Sequence, residues 1–124
     1  MPLHTGEQRQ LASFCSVSIE RDAEAALIRL EGELDLSCEY GFRAEVARVM
    51  AWQPSTVIID LRDLTFIDPP GLRMLVELGG AARRDDFELT LIHADGQVQK
   101  VLSITGLDRM LPLDQSPYEL REPT

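Results

Sequence analysis

The sequence predicts an α/β fold: a small mixed sheet of four or five strands with amphipathic helices, in the order β-β-α-β-α-β-α-β-(α). Three observations carry that expectation. Hydrophobic periodicity switches along the chain between two residues, the repeat of a half-buried strand, and 3.6 residues, the repeat of a helix with one apolar stripe. The run Val57-Ile58-Ile59 is apolar on both faces, as a central parallel strand requires. Strands alternating with helices need crossover connections, so an initial hairpin must join parallel strands within one sheet.

The 124 residues suffice for one core and are too few for two. Residues 1–12 are polar and unpatterned, and read as a flexible N-terminal arm before a domain over 13–121. Cys15, Val17 and Ile19 alternate with Ser16, Ser18 and Glu20 in a first strand, and Arg21 to Glu24 form a turn. Ala26, Ile28 and Leu30 continue the alternation in an antiparallel second strand ending at Gly32. Asp35 or Ser37 can cap a helix over about 37–51, with Phe42, Val46, Val49 and Met50 inward. Thr56 to Leu61 is the central strand.

Asp68 and the pair Pro69-Pro70 punctuate the chain next. Leu72, Leu75, Val76, Gly79 and Ala82 then mark a second helix ending near Arg83-Arg84, and Gly79-Gly80 inside it predicts close packing or a bend. Phe87, Leu89 and Leu91 form a fourth strand. Asp95 can cap a third helix with Val98, Val101 and Leu102 inward, ending at Gly106. Leu107 to Leu113 supply a short last strand, and Ser116-Pro117 opens a brief terminal helix to about Arg121.

Composition narrows the function. A formal net charge of -9 opposes a phosphate backbone and an anionic membrane surface, so neither nucleic acid nor direct membrane contact is expected. No apolar run approaches the roughly 20 residues that span a bilayer, and Met1 to Gln10 has no secretory pattern, so a cytoplasmic location is expected. Cys15 and Cys38 read as small buried hydrophobes, because their spacing suits neither a zinc site nor a redox motif. His4 and His93 have no neighbours at metal-ligand spacing, and no nucleophile elbow, P-loop or dinucleotide fingerprint is present. No cofactor, metal or catalytic residue is expected.

Three stretches taken together carry a family resemblance: Gly32-Glu33-Leu34-Asp35, Val57 to Leu61, and Leu64-Thr65-Phe66-Ile67-Asp68 followed by Gly71-Leu72. The first alone is weak, but in combination and at this spacing they are specific. A fourth, Val101 to Asp108, looks like the segment between a third helix and a last strand. Over roughly residues 14–113 the chain resembles the STAS family, named for sulfate transporters and anti-sigma factor antagonists. The resemblance implies a single STAS domain without cofactor or catalysis, whose output is a change of partner. For the antagonists it implies binding to a kinase-like anti-sigma factor, which frees a sigma factor for transcription; phosphorylation of the antagonist reverses this.

The family's regulatory sequence has Asp, two hydroxyl residues, Gly and Leu, where this chain reads Asp68-Pro69-Pro70-Gly71-Leu72. Pro70 stands at the phosphoacceptor position and has no hydroxyl, so the usual switch is absent. Proline also suits the first helical turn, where its fixed φ preorganises the helix and the residue before it is held extended. The predicted partner-binding set is Asp35, Asp68, Pro69, Pro70, Gly71, Leu72, Arg73, Met74 and Leu78, with Met74 and Leu78 offering an apolar patch. Thr65, Ser103 and Thr105 are alternative hydroxyls, for which local hydrogen bonding is the plainer role.

The leading expectation is a non-enzymatic anti-sigma factor antagonist-like protein that binds a kinase-type anti-sigma factor. A second is an accessory STAS subunit that binds the ATPase of a lipid or solute transport complex. A third class is a sensor or enzyme with a pocket between sheet and helices. Homodimerisation is left open by the sequence.

Overall fold

The computed structural model describes residues 8–92, 96–106 and 113–114. Its strands are β1 (Gln8–Ala12), β2 (Cys15–Asp22), β3 (Ala25–Leu34), β4 (Thr56–Ile67), β5 (Glu88–Ile92) and β6 (Leu113–Asp114). A 3-10 turn, Leu36–Cys38, leads into α1 (Glu39–Met50); α2 (Pro69–Asp85) and α3 (Gln97–Thr105) come after β4 and β5. The strands form one sheet in spatial order β1 to β6, antiparallel as far as β3 and parallel from β3 onward.

Because the parallel strands advance in one direction, right-handed crossovers deliver α1, α2 and α3 to the same face. The core lies between that face and the helices. Ile28, Ile59 and Leu91 are register partners across β3, β4 and β5, and all three are fully buried. Phe42 and Val49 of α1, Leu72, Leu75 and Ala82 of α2, and Val98 and Leu102 of α3 close over this layer. Each such aliphatic or aromatic side chain withdrawn from water contributes about 1.5–3 kcal/mol before entropy is counted.

The other face of the sheet carries Leu27, Arg29, Ile58, Asp60, Thr90 and Ile92 at alternating positions. Asp60, a charge within the apolar central strand, is only 2% exposed. Its partner in register, Arg29, reaches it at 3.2 Å. Arg62 grips both carboxylate oxygens, Nε to Oδ1 at 3.0 Å and a terminal nitrogen to Oδ2 at 2.8 Å. Burial opposes the charged form, but the hydrogen bonds and charge of Arg62, joined by Arg29, outweigh it and hold the Asp60 carboxyl below its usual range.

Several expectations are corrected here. Residues 8–12, expected in a loose arm, form β1 along the edge of β2, which makes six strands rather than four or five. Strand β3 runs past Gly32 to Leu34, and β4 runs past Leu61 to Ile67. Gly32 permits this: at φ +100 it forms part of an irregularity in the ladder, and a Cβ there would collide with the Phe14 carbonyl oxygen. Helix α2 passes unbroken through Gly79-Gly80, with Gly79 buried and open space beside Gly80. Residues 107–112 of the expected last strand, the Asp95 cap and the terminal helix lie outside the described residues.

Candidate functional site

Strands β3 and β4 end side by side, Leu34 opposite Ile67, so Asp35 and Asp68 leave the sheet on neighbouring strands at one end. Both are extended, and each caps the helical turn that begins next to it. Asp35 Oδ1 accepts from the Ser37 N–H at 3.0 Å and from the Ser37 hydroxyl at 2.5 Å. The Cys38 thiol sits 3.6 Å from the same oxygen. The Ser37 hydroxyl, above all, holds the Asp35 carboxyl below its ordinary range. Asp35 therefore caps the 3-10 turn, and α1 itself has no side-chain cap.

At Asp68 the adjoining proline disfavours helical backbone, and φ -111, ψ 177 places the residue where an N-cap belongs. A helix normally begins with four N–H groups that no carbonyl of its own can satisfy. Here the Asp68 N–H donates to the Leu34 carbonyl at 3.3 Å, Pro69 and Pro70 have no N–H, and the Gly71 N–H donates to Asp68 Oδ1 at 3.0 Å. Nothing is left over. The anion-binding capacity that a helix N-terminus ordinarily offers is thereby consumed within the fold.

Gly71 is the hinge of this arrangement. A Cβ at Gly71 would lie 2.6 Å from the Leu34 carbonyl oxygen, so only glycine lets the first turn of α2 rest on the end of β3. The Asp35 and Asp68 segments are consequently one packed unit, joined through Leu34.

The sequence-predicted site residues divide by exposure. Pro69 and Arg73 are exposed, while Asp35, Asp68 and Pro70 are half-buried; these five form an accessible edge. Gly71, Leu72, Met74 and Leu78 are buried, Met74 at 3% exposure and Leu78 at 5%. The expected apolar patch of Met74 and Leu78 is thus corrected: α1 packs beside α2 and takes them into the core, leaving them as the floor of a groove shared with Phe42 and Val46. Arg43 ties α1 to α2 near that groove, at 2.6 Å from Glu77 and 2.9 Å from Glu39.

Among the alternative hydroxyls, Thr65 donates to the Gly32 carbonyl at 3.1 Å and Thr105 to the Val101 carbonyl at 2.8 Å. Ser103 is exposed near the C-terminus of α3. Since α3 starts beyond the C-terminal end of β5 and runs back along the sheet, Ser103 and Thr105 are carried away from the Asp35–Asp68 end.

Sequence reasoning did not single out four large apolar side chains that are exposed, Phe14, Leu36, Tyr40 and Phe66. Phe14 lies in the β1–β2 turn, Leu36 and Tyr40 follow β3, and Phe66 is the second-last residue of β4. Among the described residues no group of three or more His, Cys, Asp or Glu is placed to hold a metal ion, and no helix is long and apolar enough to cross a membrane. Cys15 and Cys38 are free and buried.

The STAS domain family model matches residues 16–120. This chain belongs to the STAS domain family. A STAS-domain containing protein of Pseudomonas aeruginosa is 27% identical to it over 92 residues, which cover 74% of this chain and 90% of the relative. Among solved structures, the unphosphorylated anti-sigma factor antagonist SpoIIAA superposes with a TM-score of 0.71 at 23% identity, over 83% of this chain and 90% of SpoIIAA. An anti-sigma factor antagonist from Mycobacterium paratuberculosis gives 0.69 at 21% identity, over 82% and 86%. This STAS domain therefore has the SpoIIAA-like fold, with Pro69 and Pro70 opening its α2.

Proposed function

We propose that this STAS domain is a non-enzymatic, partner-binding regulator of the anti-sigma factor antagonist kind. Its partner is a kinase-type anti-sigma factor, and its docking edge comprises Asp35, Asp68, Pro69, Pro70 and Arg73. The observation that carries the reading is the start of α2: an accessible edge with no hydroxyl at Pro69 or Pro70 and no spare N–H for a phosphate. SpoIIAA has been solved in unphosphorylated and phosphorylated forms. In this chain the matching edge has a single chemical state, so docking is constitutive with respect to that modification. Preset proline geometry also reduces the entropy lost when the edge is held by a partner.

The test is binding to a purified kinase-type anti-sigma factor from the same genome, measured by calorimetry. The double variant Pro69→Glu, Arg73→Glu changes two exposed side chains, an acidic residue is welcome at the first helical position, and position 73 faces solvent one turn further on, so the fold is kept. Affinity is expected to fall at least tenfold. Unchanged affinity removes the α2 edge from the interface, and absence of binding by the unaltered chain removes the partner class. The second reading, a subunit that docks on a transport ATPase, is equally compatible with an edge that needs no phosphate. Copurification with a membrane ATPase in place of an anti-sigma factor would favour it.

A further inference from the structure

The two cysteines, far apart in the sequence, meet in the fold. Cys15 opens β2 opposite Gly32, near the end of β3. The residue after Gly32, Glu33, donates its N–H to the Phe14 carbonyl at 2.8 Å, and its own carbonyl accepts a hydrogen bond from the Cys38 thiol at 3.3 Å. Both cysteines thus rest on the same short stretch of β3, and their side chains are hydrogen-bonded to each other. Neither is in a disulfide, and both are enclosed in the core. The Cys38 sulfur also lies 3.6 Å from Asp35 Oδ1, the oxygen that caps the 3-10 turn. Either cysteine alone would be an ordinary small core residue, but a thiol pair in contact stands against the Asp35 segment.

We propose that Cys15 and Cys38 form a reversible disulfide, and that this bond switches the Asp35 segment out of its docking geometry. The switch rests on the reading of function given above; the disulfide does not. The oxidant is a low-molecular-weight disulfide, RSSR. Cys38 reacts first, because the short turn Leu36–Cys38, with Leu36 and Ser37 exposed, can open without parting two strands, whereas Cys15 is held in the β2–β3 ladder. The deprotonated Cys38 sulfur attacks one sulfur of RSSR, a Cys38–S–SR bond forms, and RS⁻ leaves and takes up a proton. The Cys15 sulfur then attacks the Cys38 sulfur, the Cys15–Cys38 bond forms, and a second RS⁻ departs with the Cys15 proton. Two protein thiols are oxidised and one small disulfide is reduced to two RSH. The first step is slow in the folded chain because both thiols are enclosed; the second is fast because the partner is already in contact. An S–S bond is much shorter than a hydrogen-bonded contact, so its closure draws the Cys38 sulfur off the Glu33 carbonyl and off Asp35 Oδ1. Asp35 loses a donor, and the turn that it caps shifts. Exchange of this kind supplies the change of state that Pro70 denies to the α2 edge.

The experiment incubates the folded chain with oxidised glutathione until its intact mass is constant, then compares the affinities of the treated and untreated chains for the purified kinase-type anti-sigma factor. The unaltered chain is expected to lose two hydrogen atoms and to retain no glutathione, whereas Cys15→Ala and Cys38→Ala, each checked by thermal melting, are expected to show no such loss. The oxidised chain is expected to bind at least about fivefold more weakly, and dithiothreitol to restore both mass and affinity. An unchanged mass, or a lasting glutathione adduct, overturns the disulfide whatever the partner. If the disulfide forms and the two forms bind equally well, the docking function stands and the switch falls. If the reduced chain does not bind, the functional reading fails and takes the switch with it, while the mass measurement still decides the disulfide.

Discussion

Replacing Gly71 by alanine places a methyl group 2.6 Å from the Leu34 carbonyl oxygen, 3.0 Å from Ile67 Cγ1 and 3.1 Å from Leu34 Cγ. Carbon–oxygen contacts settle near about 3.3 Å or beyond, so the helix edge or the strand end must retreat by roughly 0.7 Å. The Asp68 N–H to Leu34 carbonyl hydrogen bond, already 3.3 Å long, lies in the path of that retreat. Over-packing of this kind costs about 1–3 kcal/mol, against the roughly 0.5–1 kcal/mol that alanine gains over glycine inside a helix. The net expectation is a loss of about 1–2 kcal/mol. Gly80→Ala is the internal control, because a Cβ there meets nothing within 4 Å and only the gain of about 0.5–1 kcal/mol remains. Urea titration of both variants should separate them by about 1.5–3 kcal/mol with unchanged m values. Equal stability of the two would refute the close seating of α2 on β3, and with it the coupling of the Asp35 and Asp68 segments.

Two further outcomes concern groups inside the fold. Asp60→Asn leaves Arg29 and Arg62 without their buried counter-charge and should cost about 2–3 kcal/mol at pH 7, less than for a fully enclosed pair because both arginines reach solvent. Since the folded-state pKa of Asp60 is lowered, its contribution is complete above about pH 4, the unfolded value, and disappears as pH falls through the folded value. Stability curves of the variant and the unaltered chain should therefore converge in acid, and a constant gap down to about pH 2 would contradict this. Burial pushes the Cys15 thiol up, with Cys38 and Asp35 adding to it, so a thiol reagent at pH 8 should modify the native chain at least about a hundredfold more slowly than the urea-unfolded chain. Comparable rates would place that thiol outside the core.

The parts of the fold legible from the sequence are those in which each residue declares its own environment. Alternation in β2 and β3, the apolar run of β4 and the Asp68-Pro69-Pro70 start of α2 depend on local patterns that tertiary contacts reinforce. Strand β1 was hidden because Gln8, Arg9 and Gln10 are exposed polar residues on a sheet edge, held by backbone pairing with β2 rather than by an apolar stripe. The extension of β3 through Gly32 depends on a carbonyl from Phe14, in another part of the chain. Asp60 gave no warning, since the arginine that faces it across the ladder is 31 residues away. The helix starts at Asp35 and at Asp68-Pro69-Pro70 could be read, because capping and proline chemistry are local. Burial of Met74 and Leu78 was not readable, because it depends on where α1 lies.

The central claim is that the α2 edge binds its partner in one permanent chemical state. The most direct measurement tracks the complex with a kinase-type anti-sigma factor after ATP or ADP is added, reading its lifetime and the intact masses of both chains, with Pro70→Ser in parallel. The unaltered chain should keep the same lifetime in either nucleotide and take no phosphoryl group between Leu64 and Arg73, whereas Pro70→Ser should acquire one and be released. ATP-dependent release of the unaltered chain, accompanied by phosphate at Thr65 or elsewhere in that segment, would contradict the account.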